Sequence, residues 1–479
     1  MPARQPTVPD VSGATTIFGR EFLGITVGII SLVFLAAFEA MAVTTVMPLI
    51  SADLDGDSLY AVAFSGPLAV GVVGMVAAGS WADRSGLVTV VLTAVGLFVA
   101  GLLIAGLATT MPILIVGRLV HGLGGGALSV ALYVLVARIY PQHLHPRVFG
   151  AFAAAWLIPA LVGPFVAGLV AQFISWRWVF LGVVFLVVAA MVMLRPGLRA
   201  VGNSDPDRAD AAPSAWPWPR TLWSLAAAAA VLAASVAARL DGALLVFCAV
   251  ASFAIAGIAL RPLLPVGTLT GRAGLPVVMS IRGLISGAFM STEVYLPYLL
   301  TDQYKLTPTL AGLALTVAGI TWTTASWLQG KYSEVLTDRR SIRIGSVLVI
   351  LGIAASILTS FFVLAPAVAI VGWAFAGAGM GTLQPRLSTR TLRLSTASEQ
   401  GFNSSALLIA DSIGAALALA ATAVVFSVVG PLGGTATYTA SFLLSAAIAV
   451  VALLLSGRVR DDAMHPERLA VTDRGPAIH

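Results

Sequence analysis

The sequence predicts an all-α polytopic membrane protein of about fourteen spanning helices, on three observations. The chain is 58 % hydrophobic and only 10 % charged, with a mean hydropathy of +0.97, so water is not its main solvent. Apolar runs of roughly 20 residues, each long enough to cross a hydrocarbon core of about 30 Å, recur along almost its whole length. Backbone in lipid must bond to itself, and the runs lack the alternation of a barrel, so they are read as helices.

The first run, 22–49, is too long for a signal peptide and has no small-residue cleavage site after it, so it reads as a retained helix. An acidic loop with Asp53, Asp55 and Asp57 follows, then runs at 60–82, 87–108, 112–138, 147–172 and 176–194. Residues 195–220, rich in Pro, Asp, Arg and Ala, read as a cytoplasmic linker. Two nearly uncharged runs, 221–239 and 242–260, read as a peripheral, lipid-facing hairpin turning at Asp241-Gly242. A second set lies at 275–300, 308–330, 342–363, 366–385, 401–427 and 435–456. The expected plan is therefore an N-terminal segment 1–21, a six-helix bundle 22–194, the linker 195–220, the hairpin 221–261, a second bundle 262–456 and a tail 457–479.

With both ends cytoplasmic, 23 of the 27 Lys+Arg fall on the cytoplasmic side, three lie outside (Arg177, Arg239, Lys305) and Arg118 lies within a helix. That is the positive-inside pattern. The net charge of +6 is spread over short loops and not gathered on a polar domain, which argues against nucleic acid as a partner. The single cysteine, Cys248, sits in an apolar run and excludes a disulfide framework or a cysteine metal site.

Internal comparison points to two related halves. Gly122-Leu-Gly-Gly-Gly126 recurs as Gly377-Ala-Gly-Met-Gly381, and Asp83-Arg84 recurs as Asp338-Arg339, both at an offset of 255. Glu39 is answered by Glu293 at 254.

Ionisable groups inside a bilayer are costly and mark function by default. Of 21 acids, only Glu39, Glu293 and Asp411 lie well inside the expected helices. Desolvation of a carboxyl brings proton uptake and release toward neutral pH, which a proton-coupled transporter needs. Arg118, about 10 Å from the outer end of its helix, cannot deprotonate and needs a partner. Glu39 at similar depth is one candidate; backbone carbonyls are the other. His121, one turn on, is a titratable candidate or a packing residue. Trp156, Tyr295, Tyr298, Trp322, Trp327 and Trp373, with Ser404 and Ser405 near Asp411, are candidates to line a cavity for apolar or cationic compounds. The glycine run at 122–126 formally matches a dinucleotide fingerprint, but it has no preceding strand and serves close helix packing. No Walker lysine, metal cluster or nucleophile with a base can be assembled, so neither a nucleotide-driven pump nor an enzyme is expected.

Several stretches together resemble the major facilitator superfamily, specifically its fourteen-helix drug:proton antiporter branch. Gly79-Ser-Trp-Ala-Asp83-Arg84-Ser-Gly86 is similar to the loop between its helices 2 and 3, with Leu87 and Val88 where the family has two basic residues. Arg118-Leu-Val-His121-Gly122 resembles the helix 4 motif associated with proton transfer, with His for Gln. Pro159-Ala-Leu-Val-Gly163-Pro164-Phe-Val-Ala167-Gly168 resembles the helix 5 motif that marks export. Glu39 through Pro48 keeps the acid-to-proline spacing of the helix 1 motif.

The resemblance implies two six-helix bundles that alternate access to a central cavity, with inward protons driving outward substrate. With the buried acids and the internal repeat, the expected proton-coupling residues are Glu39, Arg118, Glu293 and Asp411, and the expected gating and motif residues are Gly79, Asp83, Arg84, Gly86, Gly122, Gly163, Pro164, Gly168, Asp338 and Arg339. The expected protein is a monomer in a bacterial inner membrane, with lipids around it, no cofactor, and amphipathic or cationic small molecules as cargo. An exporter or flippase of a lipid or endogenous metabolite is the alternative.

Overall fold

In lipid the backbone has no solvent partner, and the apolar runs satisfy it as helices throughout. The structure is a computed structural model, and it describes residues 16–19, 22–203, 218–332, 335–396 and 399–459. Fourteen α-helices lie among them: α1 Leu23–Asp53, α2 Val62–Ser85, α3 Leu87–Gly106, α4 Met111–Ile139, α5 His145–Phe173, α6 Arg177–Asn203, α7 Trp218–Ala237, α8 Gly242–Leu260, α9 Leu275–Asp302, α10 Pro308–Lys331, α11 Asp338–Phe362, α12 Pro366–Arg393, α13 Gln400–Val429 and α14 Ala436–Leu455.

Thirteen of these are long and apolar enough to cross a membrane; α10 is the exception. Its hydropathy is lowered by threonines, yet the hydroxyls of Thr316, Thr321, Thr323 and Thr324 bond to carbonyls one turn back. Polar residues that satisfy themselves in this way are compatible with a helix packed among other helices. Several helices outrun the apolar runs. α6 continues through Pro196 to Asn203, and α12 passes Pro385 to end at Arg393. The expected linker thus begins as helix, and its central part, 204–217, lies outside the described residues.

The two glycine runs do the same work at equivalent places. In α4, an added Cβ at Gly122 or Gly126 would strike the backbone of α2 at Pro67 or Gly71, while at Gly124 it would strike α3 at Phe98 and Ala94. In α12, Gly377 and Gly381 face the backbone of α10 at Ala318 and Trp322, and Gly379 faces α11 at Gly345 and Val349. Small residues two apart thus let one helix touch two neighbours at backbone distance. The 255-residue offset is this shared geometry.

α7 packs against both α2 and α13, and its Ser235 shares a 2.9 Å hydrogen bond with Ser65 of α2. Its Ala227, Val231 and Ala234 are buried, so the expectation of a wholly lipid-facing hairpin fails for α7. α8 packs on α7 and leaves Leu244, Phe247 and Val250 exposed.

One end of the bundle carries Asp53, Asp55 and Asp57, and is called the acidic face below; the opposite, basic face carries the α2–α3 and α4–α5 connections. At the acidic face the halves meet. The Tyr60 hydroxyl donates to the Val294 carbonyl at 2.9 Å, and its ring stacks on Tyr298 at 4.6 Å and lies 5.6 Å from Tyr295. Tyr298, Phe426 and Tyr438 extend this aromatic seal, and the Tyr438 hydroxyl donates to Asp302 at 2.9 Å.

Candidate functional site

The side chain with the highest electrostatic stake in the membrane interior is Arg118. It lies seven residues into α4, about 10 Å along the axis. A guanidinium there has to be matched by an acid and by carbonyls. Arg118 Nη1 donates to Glu39 Oε1 of α1, and its Nε donates to the Ala63 carbonyl of α2 at 3.2 Å. Glu39 and Arg118 are 2 % and 6 % exposed, so this ion pair is sealed from water and ties three helices together. His121 sits one turn on, its Nε2 3.4 Å from the other Glu39 oxygen and its ring 4.4 Å from Phe98. The sequence left two partners open for Arg118, and the structure uses both.

Glu293 lies apart from this pair, buried in α9 with no hydrogen-bond partner for Oε2 among the described residues. One turn earlier, Phe289 stacks on Trp373 at 4.9 Å and meets Trp322 edge-on at 5.6 Å. Tyr295 and Tyr298 stand in the aromatic seal. Trp156 and Trp327 are exposed, and Ser404 and Ser405 are half-buried on α13.

Asp411 forms a second polar cluster, which Arg282 completes. Arg282 Nε donates to Asp411 Oδ1 at 2.6 Å, and Ser286, one turn along α9, donates to the same oxygen. Arg282 was not singled out in the sequence, and it stands seven residues inside α9. Its position one turn before Ser286, within an apolar run, is the signal that could have found it.

The helix 5 motif builds the seam between halves. At Gly168 an added Cβ would come 2.7 Å from the Cα of Thr309 in α10, and Gly312 of α10 is pressed against the Pro164 carbonyl. Gly163 instead faces Phe38 and Met41 of α1 at ordinary distance. Replacing Gly168 by Val is therefore expected to push α5 from α10 at a cost of about 1–3 kcal/mol. A Tm in detergent equal to that of the wild type would overturn this.

In the α2–α3 loop, Gly86 has φ +89, a left-handed conformation that favours glycine, and it ends α2 as α3 begins. Gly79 faces open space. The side chain of Asp83 lies outside the described residues, and Arg84 is exposed. The repeat of that loop is better defined. Asp338 accepts from Arg390 at 2.6 Å, Arg393 at 2.7 Å and Arg386 at 3.4 Å, all from the last turns of α12, and Arg339 stands beside it in the first turn of α11. These three arginines were not singled out in the sequence, because partners some 50 residues apart become neighbours only through the α11–α12 packing.

Comparison with known proteins agrees with this architecture. A probable multidrug-efflux transporter of Mycobacterium tuberculosis is 27 % identical over 386 residues, covering 78 % of this chain and 80 % of that protein. Among solved structures, a POT family transporter bound to 5-aminolevulinic acid superposes with a TM-score of 0.66 at 14 % identity, covering 90 % of this chain and 96 % of that one. The human organic anion transporter MFSD10 gives 0.59 at 13 % identity, with coverage of 91 % and 99 %. At such identities the likeness is one of fold. The sequence model of the Major Facilitator Superfamily matches residues 29–419, and the chain belongs to that superfamily of membrane transporters.

Proposed function

We propose that this protein is a proton-coupled exporter of amphipathic small molecules that works by alternating access. The observation that carries the reading is the buried Arg118–Glu39 pair. A permanent cation held against a titratable acid in a water-excluded site is a two-state element: a proton on Glu39 cancels the attraction and loosens α1 from α4. His121, 3.4 Å from the second carboxylate oxygen, is placed to pass that proton. Glu293, buried with no partner for Oε2 among the described residues, is a second group able to carry one.

Direction follows from charge and closure. The positive-inside rule puts the basic face in the cytoplasm with both termini. On this reading the aromatic seal at the acidic face is the outer closure. The helix 5 motif at the α5–α10 seam and the multidrug-efflux relatives favour export over import.

The test is reconstitution in liposomes with an imposed pH gradient and a trapped pH dye. Addition of a transported amphipathic dye is expected to move protons in the opposite direction, and a protonophore is expected to stop uphill transport. Uphill movement that survives the protonophore overturns proton coupling. Lipid translocation without any gradient would instead favour a flippase.

A further inference from the structure

The Arg118–Glu39 pair is sealed; Arg282–Asp411 is not, and it differs in what it leaves unused. The Asp411 side chain is 32 % exposed and that of Arg282 11 %. Both lie toward the basic face: Arg282 seven residues from the start of α9 and Asp411 eleven from that of α13, about 10 and 16 Å along their axes. In the other half, Tyr133 of α4 is 44 % exposed, with its ring stacked on Phe149 at 5.1 Å. The Arg282–Asp411 pair is thus reachable from outside the packed core, unlike Arg118–Glu39.

A guanidinium has five N–H donors in a planar fork. Arg282 uses Nε for Asp411 and one Nη1 proton in a long 3.5 Å contact with the Gln384 carbonyl of α12. Its Nη2 makes no hydrogen bond to a described residue. We propose that Arg282 is the binding site for an acidic group on the transported molecule, with the substrate's carboxylate, phosphate or sulfonate taking the free edge of the fork beneath the Tyr133 ring. The class of cargo is thus an amphipathic anion, and its aromatic or apolar body lies against Tyr133 and Phe149.

Charge on each packed element supports this. The groups at Arg282 are Asp411 from α13, which Ser286 of α9 also contacts, and the Gln384 carbonyl from α12. Asp411 alone among them is an acid, and it acts as an internal stand-in for the substrate anion. When a proton neutralises Asp411, the cluster keeps one net positive charge that only an anion can match, because the guanidinium does not titrate. The direction of movement, though not the site, rests on the exporter reading above.

The experiment compares two dyes on one xanthene ring: fluorescein, an anion, and a cationic rhodamine ester. Equilibrium binding is measured by fluorescence polarisation on the purified full chain, and transport is measured in liposomes. Wild type is expected to bind fluorescein, and Arg282→Gln to weaken it by tenfold or more, the scale of one charge-assisted hydrogen bond. Arg282→Lys should fall between, while rhodamine binding stays within about twofold. Because Arg282→Gln strands Asp411, the double variant Arg282→Gln with Asp411→Asn is tested too; it removes both charges and should fold yet still fail to bind fluorescein. Fluorescein bound equally by the double variant, or rhodamine bound by wild type with no fluorescein, overturns the site. Arg282-dependent binding with no gradient-driven movement keeps the site and overturns the exporter reading.

Discussion

Glu39→Gln is expected to abolish substrate-driven proton movement and to reduce uphill transport to passive equilibration. Glutamine has nearly the shape of glutamate and offers Arg118 an acceptor oxygen without the charge, so it fixes the site in the neutral state in which α1 is loosened from α4. What it lacks is a proton to gain or lose, and that is the property on which coupling depends. The cost is an unmatched guanidinium in a site 6 % exposed; breaking a buried pair on one side costs up to about 3–5 kcal/mol. Two further variants separate coupling from folding. Arg118→Ala strands the acid and should be the least stable of the set. The double variant Glu39→Gln with Arg118→Gln leaves a neutral amide pair, should regain most of the Tm, and should still not couple. Proton release by Glu39→Gln at the wild-type rate would remove Glu39 from the mechanism.

Residues whose meaning is carried by period and type were legible in the sequence. Run length gave the helices, and the offset of 255 paired two glycine runs that both sit between two neighbouring helices. Glu39 and Arg118 stood out because charge is rare at that depth. What stayed hidden depends on neighbours far apart in the chain. Arg282 drew no notice until α9 and α13 brought Asp411 to 2.6 Å. Tyr60 looked like the first residue of a helix; it sits just before α2, and only its hydrogen bond to Val294 of α9 makes it part of the aromatic seal. Threonine content made α10 the least membrane-like helix by composition, because hydropathy does not register hydroxyls bonded to their own backbone.

Loss of Asp338 is expected to be the most damaging single change at the basic face. One carboxylate gathers three guanidiniums, from Arg386, Arg390 and Arg393, whose spacing of four and three residues puts them on one side of α12. Asp338 is also in the first turn of α11, where the helix dipole favours negative charge. The Asp338 and Arg390 side chains are only 6 % and 4 % exposed, so water does not replace the acid when it is removed. Asp338→Ala leaves three like charges packed together without the acid that gathers them. A loss of about 3–5 kcal/mol is expected, as for other buried pairs broken on one side. Asp338→Asn keeps acceptor oxygen without charge and should fall between the two. Arg393, half exposed, is held mainly by the same acid, and Arg393→Gln should cost under about 1 kcal/mol. Thermal unfolding of the purified variants therefore predicts an order, with Arg393→Gln near wild type, Asp338→Asn below it and Asp338→Ala lowest. Equal Tm values for Asp338→Ala and Arg393→Gln would show that α11 and α12 are held by their glycine-lined packing alone, without help from the charge cluster.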